Sequence, residues 1–285
     1  MLEMKPAVPE DRPACKALWK AAFGDDDAYI DNFYAHYGEP GQMFTLRDDG
    51  ELCSMMALFP LELCWPDGGK TKAAYLYALA TDPAARGQGY ATFLLRYADA
   101  YLEGQAVPFL STVPAEESLQ RFFAAAGDFQ PCHPMDEAEL DAPTPGPVPA
   151  RPVTGEEYRR VREALLEGTA HAVYDAAYLD YQAGVSALAG GGLYRMDTPG
   201  GPACAVVERY GALLDVRELL APAGEQAAAL AALTARFPET ERCRVRCPAG
   251  RGELPGTVRR LFGMGKRVPP TPRALGESYF GLAFD

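Results

Sequence analysis

Apolar positions along the chain change their period several times, and each change marks an element. Residues 3–8 alternate as a half-buried strand does. Ala14, Leu18, Ala21 and Ala22 then recur at helical spacing until Gly24, which predicts a helix with a glycine stop. Residues 25–37 (DDDAYIDNFYAHY) predict a second helix, with Asp25, Asp26 and Asp27 at its N-terminus. Carboxylates there suit the helix dipole, and they also stand ready for an acceptor. Three apolar, aromatic-rich runs follow between 42 and 83, separated by the turn signals DDG and PDGG, which predicts an antiparallel meander. A helix from about Ala91 to Leu102, the short strand VPFLSTV and the helix AEESLQRFFAAAG, closed by Gly127, complete the first half.

Between 141 and 153 the pattern breaks. DAPTPGPVPARPV holds Pro143, Pro145, Pro147, Pro149 and Pro152, a density that predicts neither helix nor sheet but a semi-rigid spacer. The expected organisation is a first domain over 1–140, a linker over 141–153 and a second domain over 154–285. The second half repeats the scheme loosely: a helix in EEYRRVREALLEG, strands in GGLYRMD, PACAVVERYG and ALLDVREL, a helix in GEQAAALAALTARF, the strand RCRVRCP and a final SYFGLAF run.

Composition narrows the classes. A chain of 285 residues is long enough for two cores. No apolar run approaches a membrane span and the start lacks a signal-peptide pattern, so the expected location is the cytoplasm, with no membrane partner. Seven scattered cysteines without a C-x-x-C argue against a disulfide framework or a zinc site, and Cys243 and Cys247 fall on the inner face of RCRVRC. The three histidines, His36, His133 and His171, have no metal spacing, so no metal is expected. A net charge of −12 repels phosphate backbones, which excludes nucleic acid and favours a cationic partner. Nothing in the pattern sets the oligomeric state.

The chemistry concentrates in ATDPAARGQGYATFLL, residues 80–95. The helix here begins without Ser, Thr, Asp or Asn at its cap, and it follows Arg86-Gly87-Gln88-Gly89. Uncapped amides behind glycines that permit close approach form a site for a phosphate group, with Arg86 adding a fixed charge; the alternative is a tight turn with no ligand. The spacing fits neither a Walker loop nor a Rossmann fingerprint.

With its strand before and its strand and AEESLQRFFAAAGDF helix after, the turn resembles the acyl-CoA loop of the GNAT (Gcn5-related) N-acetyltransferase superfamily, R/Q-x-x-G-x-G/A. Arg86, Gly89 and Ala91 match its defining positions. The proline joint and the motif-less second half look like the two-domain members related to the enhanced-intracellular-survival acetyltransferases. The resemblance implies a mixed α/β fold: a central, mostly antiparallel sheet flanked by helices, then a degenerate second GNAT-like domain. It implies acetyl-CoA as co-substrate, with pantetheine on the backbone of Leu79, Ala80 and Thr81. The pyrophosphate would rest on amides from Gly87 through Gln88, Gly89, Tyr90, Ala91 and Thr92 beside Arg86, with Ser118 a further contact.

The family's usual acid-base groups are missing. Phe123 stands where many members carry a tyrosine, and Ala73 and Ala74 where others carry a glutamate. Two substitutes offer themselves. Tyr77 shares one face of AAYLYAL with Tyr75 and Leu79 if the strand is regular. Asp285 would enter the site if the chain end reaches it, as in the related enzymes. GVSAL lacks the second glycine of a nucleophile elbow, so Ser186 is structural. The expected activity is transfer of an acetyl group to a primary amine, either a small cationic molecule or a Lys or N-terminal amine, with a non-catalytic acetyl-CoA-binding sensor or regulatory module as the alternative.

Overall fold

A computed structural model describes residues 1–37, 42–269 and 273–284. In chain order the first half comprises β1 (Leu2–Pro6), α1 (Arg12–Phe23), α2 (Asp27–Tyr37), β2 (Met43–Asp48), β3 (Glu51–Cys64), β4 (Lys70–Thr81), α3 (Tyr90–Gly104), β5 (Phe109–Thr112), α4 (Glu117–Gly127) and β6 (Gln130–Asp141). The second half comprises β7 (Ala150–Pro152), α5 (Gly155–Leu165), β8 (His171–Val173), α6 (Ala176–Leu188), β9 (Gly192–Thr198), β10 (Gly201–Tyr210), β11 (Leu213–Leu220), α7 (Gln226–Arg236), β12 (Arg242–Pro248) and β13 (Val258–Arg267).

All strands join one sheet in the order β1-β2-β3-β4-β5-β13-β6-β12-β11-β10-β9-β7, with β8 paired to β3. Among the described strand pairs only β4–β5 and β11–β12 are parallel. The architecture is therefore the expected mixed α/β one, a large, mostly antiparallel sheet flanked by helices. Each half places a strand, a helix and a parallel strand in succession, which is the loose repetition expected from the pattern. The halves are not separate sheets, because β13 from the end of the chain lies between β5 and β6.

Helices cover both faces. On one face α3 and α4 bury Leu94, Leu95, Ala98 and Phe123 against Met56, Leu58 and Leu76. On the other, α1 and α2 share a core with α5 and α6, in which Phe33, Tyr37, Phe59, Tyr178, Tyr181 and Phe284 meet. Gly184 lets α6 cross α2 closely: a Cβ there would lie 2.3 Å from Asn32 Oδ1. Asn32 also donates to the carbonyl of Tyr181 at 3.0 Å. A third core beneath α7 joins Leu230 and Leu233 to Val207, Val216 and Val245.

Two expectations need correction, and two further features lay outside the sequence pattern. Residues 141–153 do hold a strand, the short β7, which tolerates Pro152 because it pairs on one side only, with β9. Gly127 is the last helical residue of α4 and not its left-handed cap; Asp128 takes that conformation at φ 57°. Gly127 is instead a close approach, since a Cβ would lie 2.9 Å from the Phe129 ring. SYFGLAF makes no strand beyond a single bridge between Tyr279 and His171 and runs as a buried tail. Finally β6, β8, β13 and α6 were not anticipated.

Candidate active site

The site begins with an extra residue in β4. Met55 pairs with Ala80 and Ala57 with Tyr77, so three steps on β4 match two on β3. The bulge falls at Ala78, which takes φ 49°, a left-handed conformation rare outside glycine. The side-chain alternation resets there. Tyr75, Tyr77, Ala78 and Ala80 face the core shared by both halves, while Leu76 and Leu79 face α3. Leu79 therefore does not share the face of Tyr75 and Tyr77, contrary to the regular-strand expectation. Ser54 secures the strand beyond the bulge, donating to the Ala80 carbonyl at 2.6 Å and contacting Thr81 Oγ1 at 3.0 Å.

The bulge coincides with the end of strand pairing. Between β4 and β5 the parallel register runs from Ala73 with Phe109 to Leu76 with Thr112 and goes no further. Thr112 Oγ1 closes it with a bond to the Leu76 carbonyl at 3.2 Å. Beyond this point residues 77–81 and 113–115 diverge, and their separation opens a cleft of about 1510 Å³.

The glycine turn forms one end of the cleft. A 3-10 turn at Pro83–Ala85, held by Asp82 Oδ1 accepting from the Ala84 amide at 2.8 Å, leads into Arg86. Gly87 and Gly89 take φ 81° and 79°, and α3 starts from Gly89 with no side-chain cap. A Cβ on Gly87 would meet nothing within 4 Å, and one on Gly89 only Phe93 at 3.9 Å. Open space thus lies beside the first residues of α3, which line the cleft and follow a turn that left-handed glycines make without strain. These features fit a pyrophosphate. Leu79, Ala80, Thr81, Arg86, Gly87, Gly89, Tyr90, Ala91 and Thr92 all line this cleft. Gln88 and Ser118 do not; both are exposed, and Ser118 Oγ bonds Glu116. Tyr90 contributes backbone, its hydroxyl being tied to Asp48 at 2.9 Å.

Aromatic side chains form the middle. Tyr77 lies among Trp19, Phe59, Tyr75 and Phe284, and its hydroxyl contacts that of Tyr29 at 2.8 Å. Burial pushes the Tyr77 hydroxyl well above the usual tyrosine range, and Tyr29 is raised by the same cause. Both phenols are therefore proton donors at neutral pH. Phe123 lines the cleft as a buried ring against Phe122 and Phe129. Asp285 lies outside the described residues; Phe284, just before it, is a wall of the cleft.

Carboxylates occupy the far side. Asp25 accepts from Trp19 Nε1 at 2.8 Å, and burial raises its pKa against that bond. Asp26 accepts from the Tyr29 amide at 2.9 Å and so caps α2. Asp27 is paired outside the cleft with Lys20 at 2.7 Å and Lys16 at 3.1 Å, so the three aspartates do not act as one patch. The second half supplies Glu208, held by Arg217 Nε at 2.9 Å and by the Tyr210 hydroxyl at 2.8 Å. Ser186, 3.5 Å from Glu208, supports this group and has no histidine partner.

Tyr29, Glu208, Tyr210 and Arg217 escaped the sequence reading. For Tyr29 a signal existed, since Tyr29, Phe33 and Tyr37 recur every four residues on α2 and mark its inward face. Among the described residues no group of histidine, cysteine and acidic side chains has a metal-binding arrangement.

Residues 3–124 match the family model described as an acetyltransferase (GNAT) domain. No curated protein matches the chain. Among solved structures, a probable N-acyltransferase of Enterococcus faecalis is similar at TM-score 0.72 and 15% identity, over 94% of this chain and 72% of that one. Eis1 from Mycobacterium abscessus is similar at TM-score 0.68 and 12% identity, over 94% and 74%. A tandem GNAT protein from the clavulanic acid biosynthesis pathway is similar at TM-score 0.57 and 14% identity, over 95% and 100%. At these identities the likeness is one of fold, and it extends across both halves. An acetyltransferase (GNAT) domain is thus matched over residues 3–124, and the fold of the whole chain is similar to that of tandem GNAT proteins.

Proposed function

We propose that the protein moves an acetyl group from acetyl-CoA to a primary amine by direct attack in a ternary complex. The observation that carries this reading is the coincidence, in one cleft, of the opening between β4 and β5 and the uncapped start of α3. The first half would hold the donor and the second half, beyond the proline stretch at 141–153, would wall the acceptor side.

Pantetheine would lie along Leu79, Ala80 and Thr81, whose strand has lost its β5 partner. The pyrophosphate would meet the amides from Gly87 to Thr92, with Arg86 beside it. Unpaired β4 amides would donate to the thioester oxygen as negative charge develops there. The neutral amine attacks the carbonyl carbon; the C–N bond forms, the C–S bond breaks, and the amine proton leaves the nitrogen while the thiolate gains one. Tyr77, kept protonated by burial and bonded to Tyr29, is the donor to the thiolate. Asp25 is the nearest fit for the group that receives the amine's proton.

Phe123 favours a second reading, in which acetyl-CoA is bound without turnover, because this buried ring cannot donate a proton. An acetyl-CoA consumption assay against a panel of amines separates the two. Thiol release that depends on an amine supports transfer; tight binding with no release under any amine supports the binding module.

A further inference from the structure

Large apolar side chains that remain exposed are ordinary when scattered, so where they gather carries the information. Among the described residues, Phe23, Leu119, Leu188 and Tyr210 are 46%, 38%, 52% and 51% exposed, and all four line the cleft. Three of them stand on the side away from the glycine turn: Phe23 at the end of α1, Leu188 at the end of α6 and Tyr210 at the end of β10. Val185 and Phe284 continue this apolar surface inward.

The same side carries negative charge. Asp25 and Asp26 follow Phe23 with only Gly24 between, and Glu208 lies two residues before Tyr210. The cations that face them are engaged: Arg209 reaches Glu239 at 3.1 Å, and Arg217 binds Glu208 and, at 3.4 Å, Asp215. Asp25 accepts a neutral indole N–H. A ligand seated here meets an apolar rim outside and a carboxylate within.

Resting on the acetyl-transfer reading, we infer that the acceptor is an amphipathic amine, a primary ammonium on an apolar or aromatic body. The head would be drawn to Asp25 and the body would cover Phe23, Leu188 and Tyr210. A short polyamine or a polyhydroxylated polyamine would satisfy the carboxylates and leave the rim wet. A long acyl chain on the donor would lie on the other side, beyond β4 and β5.

Calorimetry on the full chain, with 2-phenylethylamine, putrescine and kanamycin as probes, tests this without requiring turnover. Phenylethylamine should bind at least about tenfold more tightly than either hydrophilic amine, as burial of several apolar carbons implies. Leu188→Asn and Phe23→Ser should each weaken phenylethylamine by roughly three- to tenfold while leaving putrescine and acetyl-CoA binding unchanged. Val258→Ser, at an equally exposed site on β13, should alter none of them. Tighter binding of putrescine or kanamycin, no binding of any amine, or variants that weaken octanoyl-CoA instead would each overturn the inference. Phenylethylamine bound in this way but never acetylated would keep the amphipathic-amine site and overturn the transfer reading, and with it the acceptor role.

Discussion

The first half and the second half build the same unit and put it to opposite uses. In the first, β4 leads through a glycine turn into α3 and on to parallel β5; in the second, β11 leads through residues 221–225 into α7 and on to parallel β12. Each parallel pair holds only four residues in register, and each first strand carries one extra residue against its antiparallel neighbour, in the second case Arg217 of β11 opposite the Val206–Val207 step of β10. The helix starts differ. α3 begins from left-handed glycines that face open space, whereas Gly224, ahead of α7, donates its amide to both oxygens of Glu253 at 2.8 and 3.0 Å. The second half supplies an anion from its own chain, Glu253, at the place where the first half leaves open space. Just past the last parallel pair the first half places Tyr77 and the second Arg217. The same strand, helix and parallel strand frame thus carries a helix start closed by a side chain in one half and an open one in the other.

The contrast breaks most sharply at the glycines. Gly89→Asp combines a strained left-handed residue with a charge facing the phosphates, and acetyl-CoA affinity should fall by about 10³-fold. Gly224→Asp should leave it unchanged. Calorimetry on both decides, and equal losses would show that the two helix starts are not functionally distinct.

Tyr77→Phe should lower kcat by about 10² with acetyl-CoA affinity intact, the lower end of what a positioned acid contributes. Since burial raises the Tyr77 pKa above 10.0, the wild-type rate should climb with amine deprotonation and show no descending limb below about pH 10. A fall between pH 8 and 9 would assign the proton to another group.

His133 tests the seam between the halves. It contacts Ser111 of β5 at 2.9 Å and the carbonyl of Ser278 in the tail at 3.2 Å. Burial lowers its pKa from 6.5 to about 4. The unfolded chain therefore binds a proton at higher pH than the folded one, and stability present above pH 6.5 is lost as pH falls toward 4, by about 3 kcal/mol. Urea titrations of wild type and His133→Gln across that window should converge at low pH. The smallest effect belongs to Glu253→Ala, which should cost about 1 kcal/mol and leave one acetyl-CoA per chain by calorimetry.

The sequence made legible what depends on local period and on glycine. The element order of the first half and the Arg86–Thr92 turn follow from neighbours a few residues apart. The bulge at Ala78 did not, because alanine carries no signal for a left-handed residue; the pairing of β3 with β4 imposes it. Strand β13, with its Arg259-Arg260 pair and Gly263 and Gly265, lacks clean alternation and forms because β5 and β6 offer it two edges. Conversely SYFGLAF has strand composition but no free ladder; the Tyr174 and Tyr178 hydroxyls bond the Leu282 carbonyl, both at 3.0 Å, and hold the tail without one. The cleft wall of Glu208, Tyr210 and Leu188 came from a half in which the sequence pattern showed no motif, so only three-dimensional proximity could nominate it.

The place of β13 has a consequence for how the protein is made. Its partner β5 leaves the ribosome some 150 residues earlier, which at the usual rate of synthesis is about 10 to 30 seconds. Throughout that interval β5 and β6 present unpaired backbone to solvent or to one another, a template for wrong partners. The half that carries the glycine turn is therefore the first to be synthesised and among the last to be finished. A ribosome that stalls in the second half would release a chain carrying the whole glycine turn and an open sheet, which chaperones would have to shield.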